Sequence, residues 1–79
     1  MTKKEQKVYD EIEKIVRAQE GQYNLYDIVL KYLTGDFTSE EYKAVAKIVD
    51  IVLSDLKNGK AIKRIKGSYS STIYETAWR

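Results

Sequence analysis

Apolar residues recur at intervals of three and four along the first part of the chain, and this spacing predicts helices. The first helix spans roughly Lys4 to Glu20, with Gly21 as a stop. A second, short helix spans roughly Leu25 to Leu33, behind Asn24 as N-cap and before Gly35. Their apolar stripes are Val8, Ile12, Ile15 and Val16 in the first helix, and Leu25, Ile28, Val29, Tyr32 and Leu33 in the second.

A third helix has the clearest start in the chain. Thr38 is followed three residues later by Glu41, which is the pattern of a capping box, although Ser39 is a competing cap. The helix is expected to end at Asn58-Gly59. Its apolar stripe consists of Tyr42, Val45, Ala46, Val49, Val52, Leu53 and Leu56.

Beyond Gly59 the pattern changes to that of a β-hairpin. Residues 61–66 and 71–76 are rich in β-branched and aromatic side chains, and residues 67–70 are typical of a turn. Ile62, Ile73 and Tyr74 are the expected contacts with the helices. Because Ile62 and Ile65 would lie on opposite faces of a regular strand, either a bulge or a late strand start is needed. Gln22-Tyr23 is long enough only for a bridge or a very short strand.

Composition narrows the possible functions. The 79 residues predict one domain, and they include neither cysteine nor histidine. Disulfides, thiolate zinc sites and the commonest general base are therefore excluded. The carboxylates form no recognisable catalytic or metal-binding set, so neither an enzyme, a cofactor nor a small-molecule substrate is expected. Without an export signal or an apolar run of roughly 18 residues, we expect no membrane association and a cytoplasmic location.

Charge is distributed unevenly along the chain. Residues 1–56 contain eight Lys and Arg against eleven Asp and Glu, a net charge of −3. Residues 57–79 contain six Lys and Arg and a single acid, Glu75, a net charge of +5. This basic last third could bind a polyanion, although a solubilising tail would have the same composition.

The order of elements resembles the winged helix-turn-helix family. The resemblance is carried by Val49-x-x-Val52-Leu53-x-x-Leu56-x-x-Gly59-x-Ala61-Ile62-x-Arg64, and by Gln22-Tyr23-Asn24-Leu25 before Asp27-Ile28-Val29. It implies an α+β fold over residues 1–79, with three helices and a C-terminal hairpin wing, and binding of double-stranded DNA by a small transcriptional regulator. Two features depart from the family pattern: the third helix is long, and its first turn contains Glu40 and Glu41.

The resemblance directs attention to two groups of candidate DNA contacts. The outward face of the third helix offers Ser39, Lys43 and Lys47, and the hairpin offers Lys60, Lys63, Arg64, Lys66, Ser68, Tyr69 and Ser70. Lys and Arg neutralise phosphates, hydroxyl groups donate to phosphate oxygens, and Arg64 could also enter a narrow minor groove. A solvated β-ribbon that uses Lys to block edge pairing is the alternative.

A second apolar strip on the third helix consists of Ala44, Ile48 and Ile51. Either the first helix covers it, or it belongs to a homodimer interface together with Tyr9, Ile73 or Trp78. We expect a homodimer, because short DNA-binding chains commonly bind two half-sites as dimers. The alternative function is a winged-helix module that binds another protein and no DNA.

Overall fold

The structure of the chain is a computed structural model, which describes residues 2–68 and 71–77. Within these ranges the elements follow each other as α1 (Lys3–Arg17), β1 (Gln22–Tyr23), α2 (Leu25–Tyr32), α3 (Ser39–Asn58), β2 (Ile62–Lys66) and β3 (Ile73–Thr76). The fold is α+β, with three helices and a small three-stranded antiparallel sheet. The predicted succession of three helices and a hairpin is confirmed.

Each helix begins with a capping box, in which two side chains and two backbone amides satisfy each other. The reciprocal pairs are Thr2 with Glu5, Asn24 with Asp27, and Thr38 with Glu41. Asn24 and Thr38 are therefore the N-caps that the sequence predicts, and Ser39 is the first helical residue rather than the cap. Local sequence alone fixes where α2 and α3 begin.

Two helices end earlier than predicted. α1 ends at Arg17 rather than near Glu20, because the amide of Gln19 bonds to the carbonyl three residues back, on Val16, at 3.1 Å. α2 ends at Tyr32, one residue before the expected Leu33. These are differences of boundary, and the order of the elements is unaffected.

α3 ends at Asn58 as predicted, in a Schellman motif. The Ala61 amide donates a hydrogen bond to the Leu56 carbonyl at 2.9 Å, and the Lys60 amide donates one to the Lys57 carbonyl at 3.0 Å. The left-handed position in this motif is occupied by Lys60, with a φ of 62°, and not by the preceding Gly59. A lysine thus takes a conformation that glycine adopts at lower cost.

The sheet has the strand order β1-β3-β2, so β3 is central. Gln22-Tyr23, for which the sequence indicates only a bridge or a very short strand, pairs with Glu75 and Tyr74. The register between β2 and β3 shifts between Arg64 and Lys66, and this bulge leaves Ile65 exposed. The bulge explains why Ile62 and Ile65 do not alternate regularly.

A single apolar core lies between the helices and one face of the sheet. Val49, Val52, Leu53 and Leu56 of α3 are buried, as predicted, and the core is completed by Ile12, Val16, Tyr23, Ile28, Val29, Val45, Ile48 and Ile62. Tyr74 packs against this core. None of the helices in the described residues is long and apolar enough to cross a membrane.

Candidate nucleic-acid interface

The predicted contacts on α3 are all on its exposed side. Ser39, Lys43 and Lys47 are exposed, and both lysines line a shallow groove of about 390 Å³ between α2 and α3. Asp50 lines the same groove, near the sheet. These side chains therefore form a mixed but mainly basic surface along one side of the helix.

The two acids in the first turn of α3, Glu40 and Glu41, differ in what they contact. The Glu41 carboxylate accepts a hydrogen bond from the Thr38 amide at 3.0 Å, and Glu41 lines a separate hollow against α1, together with Val8 and Ile48. It therefore stabilises the helix start on the side away from Lys47. Glu40 is exposed. Glu41 is exposed as well, but of the two acids that depart from the family pattern only Glu41 is engaged in the cap of the helix, so Glu40 is the one that a phosphate backbone on this side would meet.

The basic residues of β2 are divided between the two faces of the sheet. Lys63 is paired with Glu75, and its Nζ is 4.0 Å from the Glu75 carboxylate. Lys66 is paired with Ile73, two residues before Glu75, so it shares that face. Arg64 is paired with Tyr74 on the opposite face, which packs against the helices. The sequence treats the basic residues of the hairpin as one patch. In the structure they form two surfaces, one on each face of the sheet.

Tyr74 is affected electrostatically both by Arg64 of β2 and by Asp50 of α3. Burial and the nearby Asp50 carboxylate raise the pKa of the Tyr74 hydroxyl, whereas the Arg64 guanidinium lowers it. The charges of Asp50 and Arg64 thus act on this hydroxyl in opposite directions. Asp50 also lines the groove beside Lys47, and Arg64 lies on the face of the sheet that packs against the helices.

The turn of the hairpin is held by short local contacts. Arg64 donates from Nη1 to the Gly67 carbonyl at 3.2 Å, and the Ser71 hydroxyl donates to the Ser68 carbonyl at 2.7 Å. Gly67 has a φ of +87°, and a Cβ there would lie 2.5 Å from the Ser71 carbonyl oxygen, so the turn requires glycine. Ser68 is exposed, while the predicted contacts Tyr69 and Ser70 lie outside the described residues.

Lys60 is also exposed, in the short connection between α3 and β2. Its left-handed backbone follows from the Schellman motif at the end of α3, so the position of this lysine is fixed by the helix end. It is thus the one predicted contact that lies between the two groups of candidates.

An aromatic row beside Lys43 was not predicted. Tyr26 of α2 stacks on Tyr42 of α3, and Tyr42 stacks on Phe37 of the preceding loop, with ring centroids 6.1 Å apart in both pairs. Tyr26 is 43% exposed and Phe37 36%. The sequence assigns Tyr42 to the apolar core stripe of the third helix. That its ring also forms part of the surface becomes visible only from its contact with Tyr26, which belongs to another helix.

The second apolar strip of α3 is split by the fold. Ile48 is buried in the core, whereas Ala44 is exposed and Ile51 is 42% exposed. The Tyr9 side chain donates from its hydroxyl to Asp55 at 2.6 Å and is half-buried. Ile48 is therefore a core residue, Ile51 is left open to a partner, and Trp78 lies outside the described residues.

Comparison with protein-family models, with curated proteins and with solved structures gives no match for this chain. Among the described residues, no three acidic side chains are grouped so that they could hold a metal ion. A functional interpretation therefore depends on the surface formed by α3 and the hairpin.

Proposed function

We propose that the chain is a winged helix-turn-helix domain that binds double-stranded DNA, with α2 and α3 as the helix-turn-helix and β2–β3 as the wing. The observation that carries the proposal is the position of Arg64. Arg64 is paired with Tyr74 on the face of the sheet that packs against the helices, and in this proposal it continues the basic side of α3 formed by Lys43 and Lys47.

The physical basis is the match between this surface and a duplex. The major groove is wide enough to admit a helix, and basic side chains beside it release counterions from phosphates. Ser39, Lys43 and Lys47 are the helix contacts in this proposal. The wing contacts in this proposal are Lys60, Lys63, Arg64, Lys66 and Ser68, together with Tyr69 and Ser70, which lie outside the described residues.

The role proposed for the domain is that of a small, non-enzymatic transcriptional regulator acting as a homodimer. Two copies would bind two half-sites, and the apolar Ile51 offers a contact between them. Sedimentation at micromolar concentration tests this part: a dimer that Ile51→Asp converts to a monomer supports it. A wild-type monomer contradicts the dimer while leaving DNA binding by one domain in place.

Binding of a fluorescent random-sequence duplex, followed by anisotropy, tests the DNA-binding proposal. Replacing Lys43 and Lys47 with Ala, or Lys63, Arg64 and Lys66 with Ala, should weaken binding and flatten the salt dependence by roughly one unit per lost phosphate contact. Lys7→Ala removes an exposed charge from α1, which contributes none of the proposed contacts, and serves as control.

A winged-helix protein-interaction module is the second candidate, because Tyr26, Leu30 and Phe37 are exposed apolar side chains. If the chain is such a module, the wild type should bind DNA only weakly, and the lysine and arginine variants should bind it equally weakly. An apolar protein contact would also persist at salt concentrations that dissociate a phosphate contact.

A further inference from the structure

The aromatic row of Tyr26, Tyr42 and Phe37 has two free ends. Tyr42 stacks on both of the other rings and packs against the core, so its faces are occupied. Tyr26 and Phe37 each contact Tyr42 on one side and remain 43% and 36% exposed. Both ends of the row therefore keep a large part of their ring surface open to solvent.

Each end of the row opens into a hollow. The hollow at Tyr26 has a volume of about 390 Å³ and is lined by Leu25, Ala46 and Lys47. The hollow at Phe37 has a volume of about 370 Å³ and is lined by Thr38 and Ser39. Tyr42 and Lys43 line both hollows, so one ammonium group stands between two apolar sites. Their size is within the range of sites for small planar ligands.

Flat ring faces beside ammonium groups are the chemistry that recognises a single-stranded nucleic acid, in which bases stack on aromatic side chains while phosphates contact lysines. A regular duplex cannot use this surface in the same way, because its base faces are covered by the neighbouring base pairs. We propose that the aromatic row binds unpaired bases, so that the protein prefers DNA in which a duplex adjoins a single-stranded segment.

This inference rests on the proposed DNA binding and adds a substrate preference to it. The duplex contacts α3 and the wing, and the unpaired strand leaves the duplex past Lys43, placing a base in one or both hollows. Asp50 lies in the Tyr26 hollow beside Lys47 and would repel a phosphate there. The phosphate at the junction of duplex and single strand therefore contacts Lys43, which lines both hollows, and the unpaired bases point toward the rings.

The experiment compares a blunt duplex with the same duplex carrying a four-nucleotide single-stranded overhang. Affinities are measured by anisotropy, and a 2-aminopurine in the overhang reports stacking by loss of its fluorescence. The wild type should bind the overhang duplex about tenfold more tightly than the blunt duplex, since one stacked base contributes on that scale. Tyr26→Ala and Phe37→Ala together should abolish this ratio and the quenching, with blunt-duplex affinity unchanged.

Matched variants distinguish base stacking on the rings from a nonspecific effect of exposed apolar side chains. Tyr26→Phe and Phe37→Tyr keep the rings and should keep the ratio. Leu30→Ala removes a 54% exposed side chain from the same helix as Tyr26, outside the row, and should also keep it. Circular dichroism checks that each variant is folded.

The outcomes are distinct from those for duplex binding itself. Equal affinity for the two DNAs, or quenching that survives removal of both rings, overturns the stacking site and leaves duplex binding standing. Binding to the overhang DNA alone supports the stacking site and contradicts the duplex proposal. Failure to bind either DNA overturns both.

Discussion

Lys63 and Arg64 are neighbours on β2, but they belong to opposite faces of the sheet. Lys63 lies beside Glu75, at 4.0 Å, whereas Arg64 is paired with Tyr74 on the face that packs against the helices. Of these two residues, only Arg64 therefore lies on the side of the sheet that faces α3. A sequence of consecutive basic residues hides this division, which the two-residue period of a strand makes inevitable.

The first prediction compares these two residues one at a time. Arg64→Ala should weaken duplex binding about tenfold and reduce the salt slope by roughly one unit, because it removes a contact adjoining α3. Lys63→Ala should have a smaller effect, since its charge is already close to a carboxylate. Anisotropy titrations at several salt concentrations measure both. Equal losses for the two variants would show that the two faces of the hairpin contribute alike.

The second prediction concerns the left-handed backbone of Lys60. Lys60→Gly should raise the free energy of unfolding by about 1 kcal/mol, because glycine adopts a φ of 62° without the strain of a Cβ. Lys57→Gly, the same change in the last turn of α3, should instead lower it by roughly 0.5–1 kcal/mol. Urea unfolding measures both variants. If both are destabilised, the Schellman geometry at Lys60 is wrong.

The third prediction concerns pH. The hydrogen bond from Tyr9 to Asp55, assisted by burial, raises the pKa of Tyr9 to about 12 from its ordinary value of 10.0. Below pH 10 the hydroxyl is protonated in both the folded and the unfolded chain, so the bond contributes fully. As pH rises from 10 to 12 the unfolded tyrosine loses its proton first, and this stabilisation decreases.

Tyr9→Phe measures that contribution. Near neutral pH the variant should be less stable than the wild type by about 1 kcal/mol, as for a typical hydrogen bond. The difference should shrink across the window from 10 to 12, while the other tyrosines titrate equally in both proteins. A difference that is constant with pH would mean that the Tyr9–Asp55 bond does not form in solution.

Local rules are sufficient to predict much of the fold. The N-caps Asn24 and Thr38 act on amides three residues away, and the buried stripe of α3 follows from a fixed helical period. These interactions depend only on near neighbours in the chain. For the same reason the start of each helix is more predictable than its packing.

The features that cannot be predicted from the sequence depend on contacts between residues far apart in the chain. Gln22-Tyr23 becomes a sheet strand only because β3 pairs with it, some fifty residues later, and Tyr9 meets Asp55 46 residues away. The row of Tyr26, Tyr42 and Phe37 forms where a helix, a loop and another helix meet. No spacing rule within one element predicts such a surface.

The central claim is that this surface binds duplex DNA through phosphate contacts, and the salt dependence of wild-type binding tests it most directly. With six candidate basic side chains on α3 and the hairpin, the affinity for a random duplex should fall roughly a thousandfold between about 50 and 200 mM salt, a slope of roughly −5 on logarithmic axes. An absence of duplex binding at the lower concentration, or an affinity that does not change with salt, would contradict the account.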